Sequence, residues 1–303
     1  MKAKALLTVI LVMLTMGYVS AQDSRVVKQN INVDKFISIN ASGSWDIIIK
    51  QSNQQSVSIE VSEEFVEYVV IEVKDGMLNI SHKPIEYPDN QSTIYSFWDI
   101  LRMIRQGSFW NGWNNNSQLI RKAYITVTDL TGLHASGSVD VVFETSLETK
   151  DFTVKFSGSS DLENLSIKCS SFDGRFSGSC DSKIRFLSAT KIFVTASGSS
   201  DIILHDIDAE QCQISLSGSG DAVLSGKAQL LKLSASGASD VSAKGLISQV
   251  CEASFSGASD GKLCVIEDLN ITISGASDVV CFGNPHNVTK SVSKSGSLNL
   301  VER

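Results

Sequence analysis

Apolar and polar residues alternate along most of the chain, and the alternation is tied to a recurring Ser-Gly-x-x-Asp motif. Two places before each motif glycine stand Ala41, Ala135, Phe156, Phe176, Ala196, Leu216, Ala235, Phe255 and Ile273. Four places before it stand Ile39, Leu133, Val154, Val194, Ile214, Leu233, Ala253 and Ile271, with Gly174 as the exception. The residue after the aspartate is Ile47, Val141, Leu162, Ile202, Ala222, Val241 or Val279, interrupted by Ser182 and Gly261. Ser, Thr and Lys fill many of the positions between. A period of two is strand geometry with one face buried. No stretch of the repeat region sustains a 3.6-residue period, which disfavours helical and leucine-rich repeats.

The motif recurs at a nearly constant step. Its glycines are Gly43, Gly137, Gly158, Gly178, Gly198, Gly218, Gly237, Gly257 and Gly275, each followed three residues later by Asp46, Asp140, Asp161, Asp181, Asp201, Asp221, Asp240, Asp260 and Asp278. A tenth copy runs from Ser295 through Gly296 to Asn299, with Asn in place of Asp. From Gly137 on, the steps are 21, 20, 20, 20, 19, 20, 18 and 21 residues. A fixed period of this length marks a solenoid. A coil of about 20 residues holds three short strands and three turns, and stacked coils pair equivalent strands about 4.8 Å apart in a parallel β-helix. The glycine marks a turn needing positive φ or close backbone approach, and the residue after it is always Ser or Ala, as a crowded, self-stacked turn requires.

The N-terminal third reads as further β structure that continues and caps the solenoid. It contains the alternating segment 57–61, a strand over 123–127, and two strands flanking Lys74-Asp75-Gly76, a hairpin turn signal. Residues 84–120 form a partly helical insertion: Phe97, Ile100, Leu101 and Ile104 have helical spacing and Gly107 is a stop signal. Trp98, Trp110 and Trp113 fall here. They are read either as a lid over the solenoid or as a contact patch, since Trp favours interfaces. The regular coils span 133–299.

Composition narrows the function. Apolar residues are 42% of the 303, enough for a large core, and the net charge is −7 with no Lys/Arg cluster, which sets nucleic-acid binding aside. Residues 1–21 form the three-part pattern of a signal peptide: Lys2 and Lys4, an apolar run from Ala5 to about Met16, and small residues before Gln22. The run is shorter than the ~20 residues of a membrane span, and no second hydrophobic segment follows. Residues 22–303 are therefore expected to be one exported β-solenoid domain, in the periplasm, at the cell surface or outside the cell. Export raises the question of disulfides among Cys169, Cys180, Cys212, Cys251, Cys264 and Cys281. Their spacing suggests no framework, and small buried thiols are the favoured reading.

Taken together, the leader, the opening segment FISINASGSWDIII, the hairpin VKDGMLNI and the serial SGSSD and SGASD copies resemble the putative auto-transporter adhesin, head GIN domain family, common in Bacteroidetes. The resemblance covers about residues 36–280. It implies an all-β, right-handed parallel β-helix in an exported protein, and adhesion as the activity. It supplies no catalytic residues, and the Trp-rich insertion has no counterpart in it.

Nine aspartates in register repel one another by roughly 3 kcal/mol per neighbouring pair at an effective dielectric near 20. Hydrogen bonds from turn N–H groups and Ser hydroxyls, as in Asx turns, are the favoured remedy over splayed solvation or bridging cations. Calcium needs 6–8 oxygens and one Asp per coil is sparse. No metal or cofactor is expected. An active site would break the repeat. The deviations are Asp173-Gly174-Arg175, Lys183 with Arg185, and His205 with Asp206 and Asp208; His82, His134, His205 and His286 lack metal-ligand spacing. The expectation is a non-catalytic module that recognises a glycan or an envelope protein, with Trp98, Trp110 and Trp113 as the contact residues. A polysaccharide-processing enzyme and a purely structural envelope protein are the alternatives.

Overall fold

The computed structural model describes residues 25–83 and 119–301, so the leader and the Trp-rich segment lie outside the described residues. The rest is a β-solenoid. Gly132–Phe143 lies parallel on Ser38–Gln51, with Gly137 opposite Gly43 and Asp140 opposite Asp46. The following coils continue this register, Gly137 on Gly158, Gly158 on Gly178, Gly178 on Gly198, Gly198 on Gly218 and Gly218 on Gly237. Contacts between successive turns carry the stack on through Gly257 to Gly275. Eight steps thus separate Gly43 from Gly275, as the spacing predicts.

From Asp151 to Gly237 each coil has a long strand segment that ends at its glycine and a second that starts after its aspartate, whereas Ser38–Gln51 and Gly132–Phe143 run through their motifs and the last long segments end at Phe255 and Ile273. The second is bent by a register irregularity, at Leu162/Leu165 and Leu204/Ile207 for example. Asn164 (φ 58°), Asp206 (φ 57°) and Gly226 (φ 124°) take up the bend. The third strand expected per coil is the far half of this bent segment.

Alternation places the predicted columns inside. The residues two and four before each glycine, and those after each aspartate from Ile47 to Val279, are buried. Phenylalanines stack along the axis: Phe152 on Phe172 (6.2 Å), Phe156 on Phe176 (6.0 Å) and Phe172 edge-on to Phe186 (5.3 Å). Two exceptions in the pattern are accounted for by these rings. A side chain at Gly174 would meet Phe172 at 2.8 Å and Phe176 at 3.0 Å, and one at Gly261 would meet Phe255 at 2.4 Å. The neighbouring rings fill the space that an aliphatic residue fills in other coils.

The N-terminal end is closed out of chain order. Ser38–Gln51 is the second layer, because Met77–His82 and Arg121–Val127 pair with its two halves on the side away from Gly132–Phe143. Antiparallel strands finish both faces: Ser56–Ser62 on Arg121–Val127, Val26–Ile31 on Ser56–Ser62, and Val69–Lys74 on Met77–His82. The hairpin turn holds Asp75 and Gly76 at φ 52° and 73°, the paired positive values of a tight hairpin. A 3-10 helix, Glu63–Tyr68, lays buried Phe65 across the end of the core. There Phe65 meets Trp45 at 6.3 Å and His82 at 5.6 Å, under the Arg121 guanidinium at 5.1 Å.

At the other end the tenth motif slips. Asp278 pairs with Ser297, not with Asn299, so Gly296 packs near Ser277 and lacks the positive φ of the other motif glycines. The Ser293 and Ser295 hydroxyls both donate to the Gly275 carbonyl (3.0 and 2.7 Å). Two serines thereby take over the turn, and the sequence match at Gly296 is not a structural repeat.

Candidate functional site

The repeated turn is the most strongly specified surface feature. Each of the nine motif glycines has φ between 73° and 109°. From Gly137 on, an added Cβ would lie 2.3–2.5 Å from the carbonyl oxygen of the glycine one coil earlier. That carbonyl accepts the N–H of the residue after the next glycine, as in Ser159 N–H to Gly137 O (2.7 Å) and Ser199 N–H to Gly178 O (2.7 Å). The column therefore needs glycine twice over, for its torsion and for its lack of bulk. It stops at His82, whose ring occupies the space beneath Gly43.

The aspartates form an outward column beside it. Their carboxylates accept backbone N–H groups, but from the next coil and not from their own turn. Asp161 Oδ1 takes the N–H of Asp181 (3.0 Å), Asp201 that of Asp221 (2.9 Å), Asp221 that of Asp240 (3.0 Å), Asp240 that of Asp260 (3.2 Å) and Asp260 that of Asp278 (2.9 Å). At the last coil the Ser297 hydroxyl donates to Asp278 instead (2.6 Å). These bonds favour the charged carboxylates, while burial and the neighbouring carboxylates disfavour them. Partial burial, followed by the Asp161 and Asp46 carboxylates, raises Asp140 above the ordinary carboxylate range. Burial also raises Asp181, with Asp161 and Asp201 adding and the Asp201 N–H opposing.

A carboxyl raised in the fold stabilises the fold when protonated, and that contribution is lost as pH rises through the raised value. At neutral pH the charged form is therefore a burden. Asp181→Asn keeps an acceptor oxygen and removes the charge. It should raise the melting temperature by about 1–3 °C at low salt and by less at high salt. Excess EDTA should change neither protein. A fall in melting temperature with EDTA would show that bridging cations hold the column.

A second polar column went unread in the sequence. The residue before each aspartate points inward, and Ser160, Ser200, Ser239, Ser259 and Ser277 are buried. Each hydroxyl bridges two coils. Ser160 donates to Ser157 O (3.2 Å) and accepts from Val139 N–H (3.1 Å); Ser200 donates to Ser197 O (3.2 Å) and accepts from Cys180 N–H (3.2 Å). The available signal was the unbroken run of small residues at that position from Ser160 to Ser277.

The residues that break the repeat do not converge on a reactive geometry. Asp173 and Arg175 pair with each other on one strand (2.9 and 3.2 Å). Lys183, Arg185, His205 and Asp206 share a shallow groove of about 390 Å³, where Arg185 binds Asp206 at 3.0 Å and His205 Nδ1 meets Ser225 Oγ at 3.2 Å. Every Asp of the motif lies in one row, so no two of them face each other across a cleft as a glycosidase pair does. Among the described residues no His, Cys, Asp and Glu group could hold a metal ion. No disulfide joins the six cysteines, all buried. Burial pushes the Cys212 and Cys251 thiols up to about 12, the range of inert core thiols.

Trp98, Trp110 and Trp113 lie outside the described residues, but the points where their segment leaves and rejoins the fold are fixed. Met77–His82 and Arg121–Val127 lie under the halves of Ser38–Gln51 that flank its motif turn. The segment is thus inserted where every later coil carries its Gly-Asp turn. Lys83 N–H is bonded to Tyr68 O (2.7 Å), and Ile120 is bonded to Ser62 through both its N–H and its carbonyl (3.0 Å each).

The family model of the putative auto-transporter adhesin, head GIN domain, matches residues 35–185 and again 175–285. The chain belongs to this family. The head GIN match takes in the capping layers and the regular coils alike. Among solved structures, the chain resembles a putative lipid binding protein from Parabacteroides distasonis ATCC 8503, with 20% identity, a TM-score of 0.62 and coverage of 91% of this chain and 96% of that one. It also resembles putative adhesins from Parabacteroides merdae ATCC 43184 (17%, 0.62, 91% and 96%) and from Parabacteroides distasonis ATCC 8503 (17%, 0.58, 93% and 98%). These identities speak for the head GIN fold and not for a ligand. No curated protein matches the chain in sequence.

Proposed function

We propose that this head GIN protein is an exported, non-catalytic recognition module whose partner is a glycan or protein of the cell envelope or its surroundings. One observation carries the reading. The repeated polar groups of the coils are bonded to one another, glycine carbonyl to amide, serine to serine and carboxylate to amide, leaving the solenoid as a rigid scaffold. Rigid stacked repeats serve as extended binding surfaces, and family membership points to adhesion.

The contact residues proposed are Trp98, Trp110 and Trp113, in the segment tethered to the turn edge of the capping layer. Tryptophan supplies large contact area at low conformational cost, which suits it to such a role. Residues 1–21 are proposed to direct export and to be removed before Gln22. Among the described residues no helix is long and apolar enough to cross a membrane.

The test is an array of glycans and envelope proteins probed with the mature chain. Specific capture that drops at least tenfold when all three tryptophans become alanine supports the reading. Turnover of a polysaccharide by the purified chain would replace it with the enzymatic alternative.

A further inference from the structure

One long-strand face carries a feature that the solenoid does not need. Phe193 points outward from the segment 191–197, between buried Ile192 and Val194. Its column is otherwise polar from coil to coil, with Thr153, Asp173, Gln213, Lys232, Glu252 and Asn270 at the equivalent places. By contrast Phe152, Phe156, Phe172, Phe176, Phe186 and Phe255 all point inward. A half-buried ring on the polar face contributes nothing to that inner stack.

Phe193 forms one side of an open groove of about 590 Å³. Directly beside it in the neighbouring coil is Asp173, held in a two-bond fork by Arg175 (Nε to Oδ1 3.2 Å, Nη2 to Oδ2 2.9 Å). One coil further on is Lys155, exposed and without an ion-pair partner among the described residues. Rows of Ser and Thr hydroxyls, Ser157, Ser177 and Thr195, complete the lining. The floor is firm, because Phe156 and Phe176 pack against each other beneath it.

We infer that this groove is a saccharide-binding site and that its ligand is an acidic oligosaccharide laid along the solenoid axis. The aromatic face suits the C–H face of a pyranose. The Asp173–Arg175 fork presents fixed planar acceptors and donors for vicinal hydroxyls. Lys155 is a free cation in a chain of net charge −7, so it selects a carboxylated sugar over a neutral one. Phe193 and Lys155 are two coils apart, about 10 Å along the axis, roughly the reach of a disaccharide. The inference deepens the recognition reading by naming a ligand class, but it uses a surface separate from Trp98, Trp110 and Trp113.

Calorimetric titration of the mature chain with tetragalacturonic acid, and in parallel with the neutral galactose tetramer, tests it. The variants borrow residues from equivalent positions in nearby coils, Phe193→Gln after Gln213 and Lys155→Thr after Thr195, so the fold should accept both. The acidic tetramer should bind, weaken with added salt, and lose about tenfold in affinity in each variant. The neutral tetramer should bind wild type about tenfold more weakly than the acidic one does. No binding, equal binding of the two tetramers, or unchanged affinity in Phe193→Gln with its melting temperature preserved would overturn the inference. The triple tryptophan variant separates the two proposals. Groove binding that survives it while array capture is absent leaves the saccharide site standing and removes the tryptophan patch. Array capture that depends on tryptophan but ignores both groove variants does the reverse.

Discussion

Gly198→Ala should cost about 2–5 kcal/mol of stability, more than removing any single surface interaction. Two penalties add. The backbone sits at φ 84°, where a Cβ costs about 1–2 kcal/mol. The Cβ would also lie 2.4 Å from Gly178 O and 3.1 Å from Gly178 N. Relieving that overlap pushes two coils apart, at about 1–3 kcal/mol. Gly76→Ala is the control, because its φ is 73° but no atom lies within 4 Å of the added Cβ. It should cost about 1 kcal/mol. Urea unfolding of both variants checks this, and equal midpoints for the two would mean that stacking of the turns is not what demands glycine. Because each coil touches only its neighbours, the damage should appear as a break in cooperativity near the substituted coil.

Phe172→Ala should be at least as costly, about 3–5 kcal/mol. The ring is fully buried and lies between Phe152 and Phe186, so its removal leaves a cavity in the middle of the axial stack. Gly174 makes the result diagnostic. In the wild type Gly174→Ala drives a methyl group to within 2.8 Å of Phe172. With Phe172 gone that methyl enters the vacated space, and the two substitutions should cost less together than the sum of their separate effects. Additive costs in a double-mutant cycle would contradict the account of why glycine interrupts the apolar column there.

The architecture was legible because the fold is written as a period. Columns such as Ile39 to Ile271 need only alternation and a repeat length to be recognised, and the Lys74-Asp75-Gly76 turn carries its own torsional signature. Legibility failed where an outcome depends on where a side chain points or on which strands meet. Gly174 and Gly261 look like flaws until the rings of Phe172, Phe176 and Phe255 are seen filling them. The motif at Gly296 matches in letters, but Ser297 and not Asn299 stands over Asp278. The inward serines were hidden because a buried hydroxyl and an exposed one read alike without the neighbouring coil. Phe193 is the opposite case. Its place in a polar column was visible in the repeat, but an apolar residue inside an apolar-rich strand raised no flag.

The position of Ser38–Gln51 has a consequence for biogenesis. This strand is made early, yet the layers on either side of it come from Met77–His82, Arg121–Val127 and Gly132–Phe143, the last displaced by 94 residues in register. Each later coil, by contrast, joins a predecessor only 17–21 residues back. Closing the early layer carries the larger loop-closure entropy, while the later coils zip by short-range steps. A chain synthesised from its amino end therefore presents Ser38–Gln51 with one side unpaired until residue 143 has been made. The amino-terminal layers therefore depend longest on partners still to be synthesised, although they are made first.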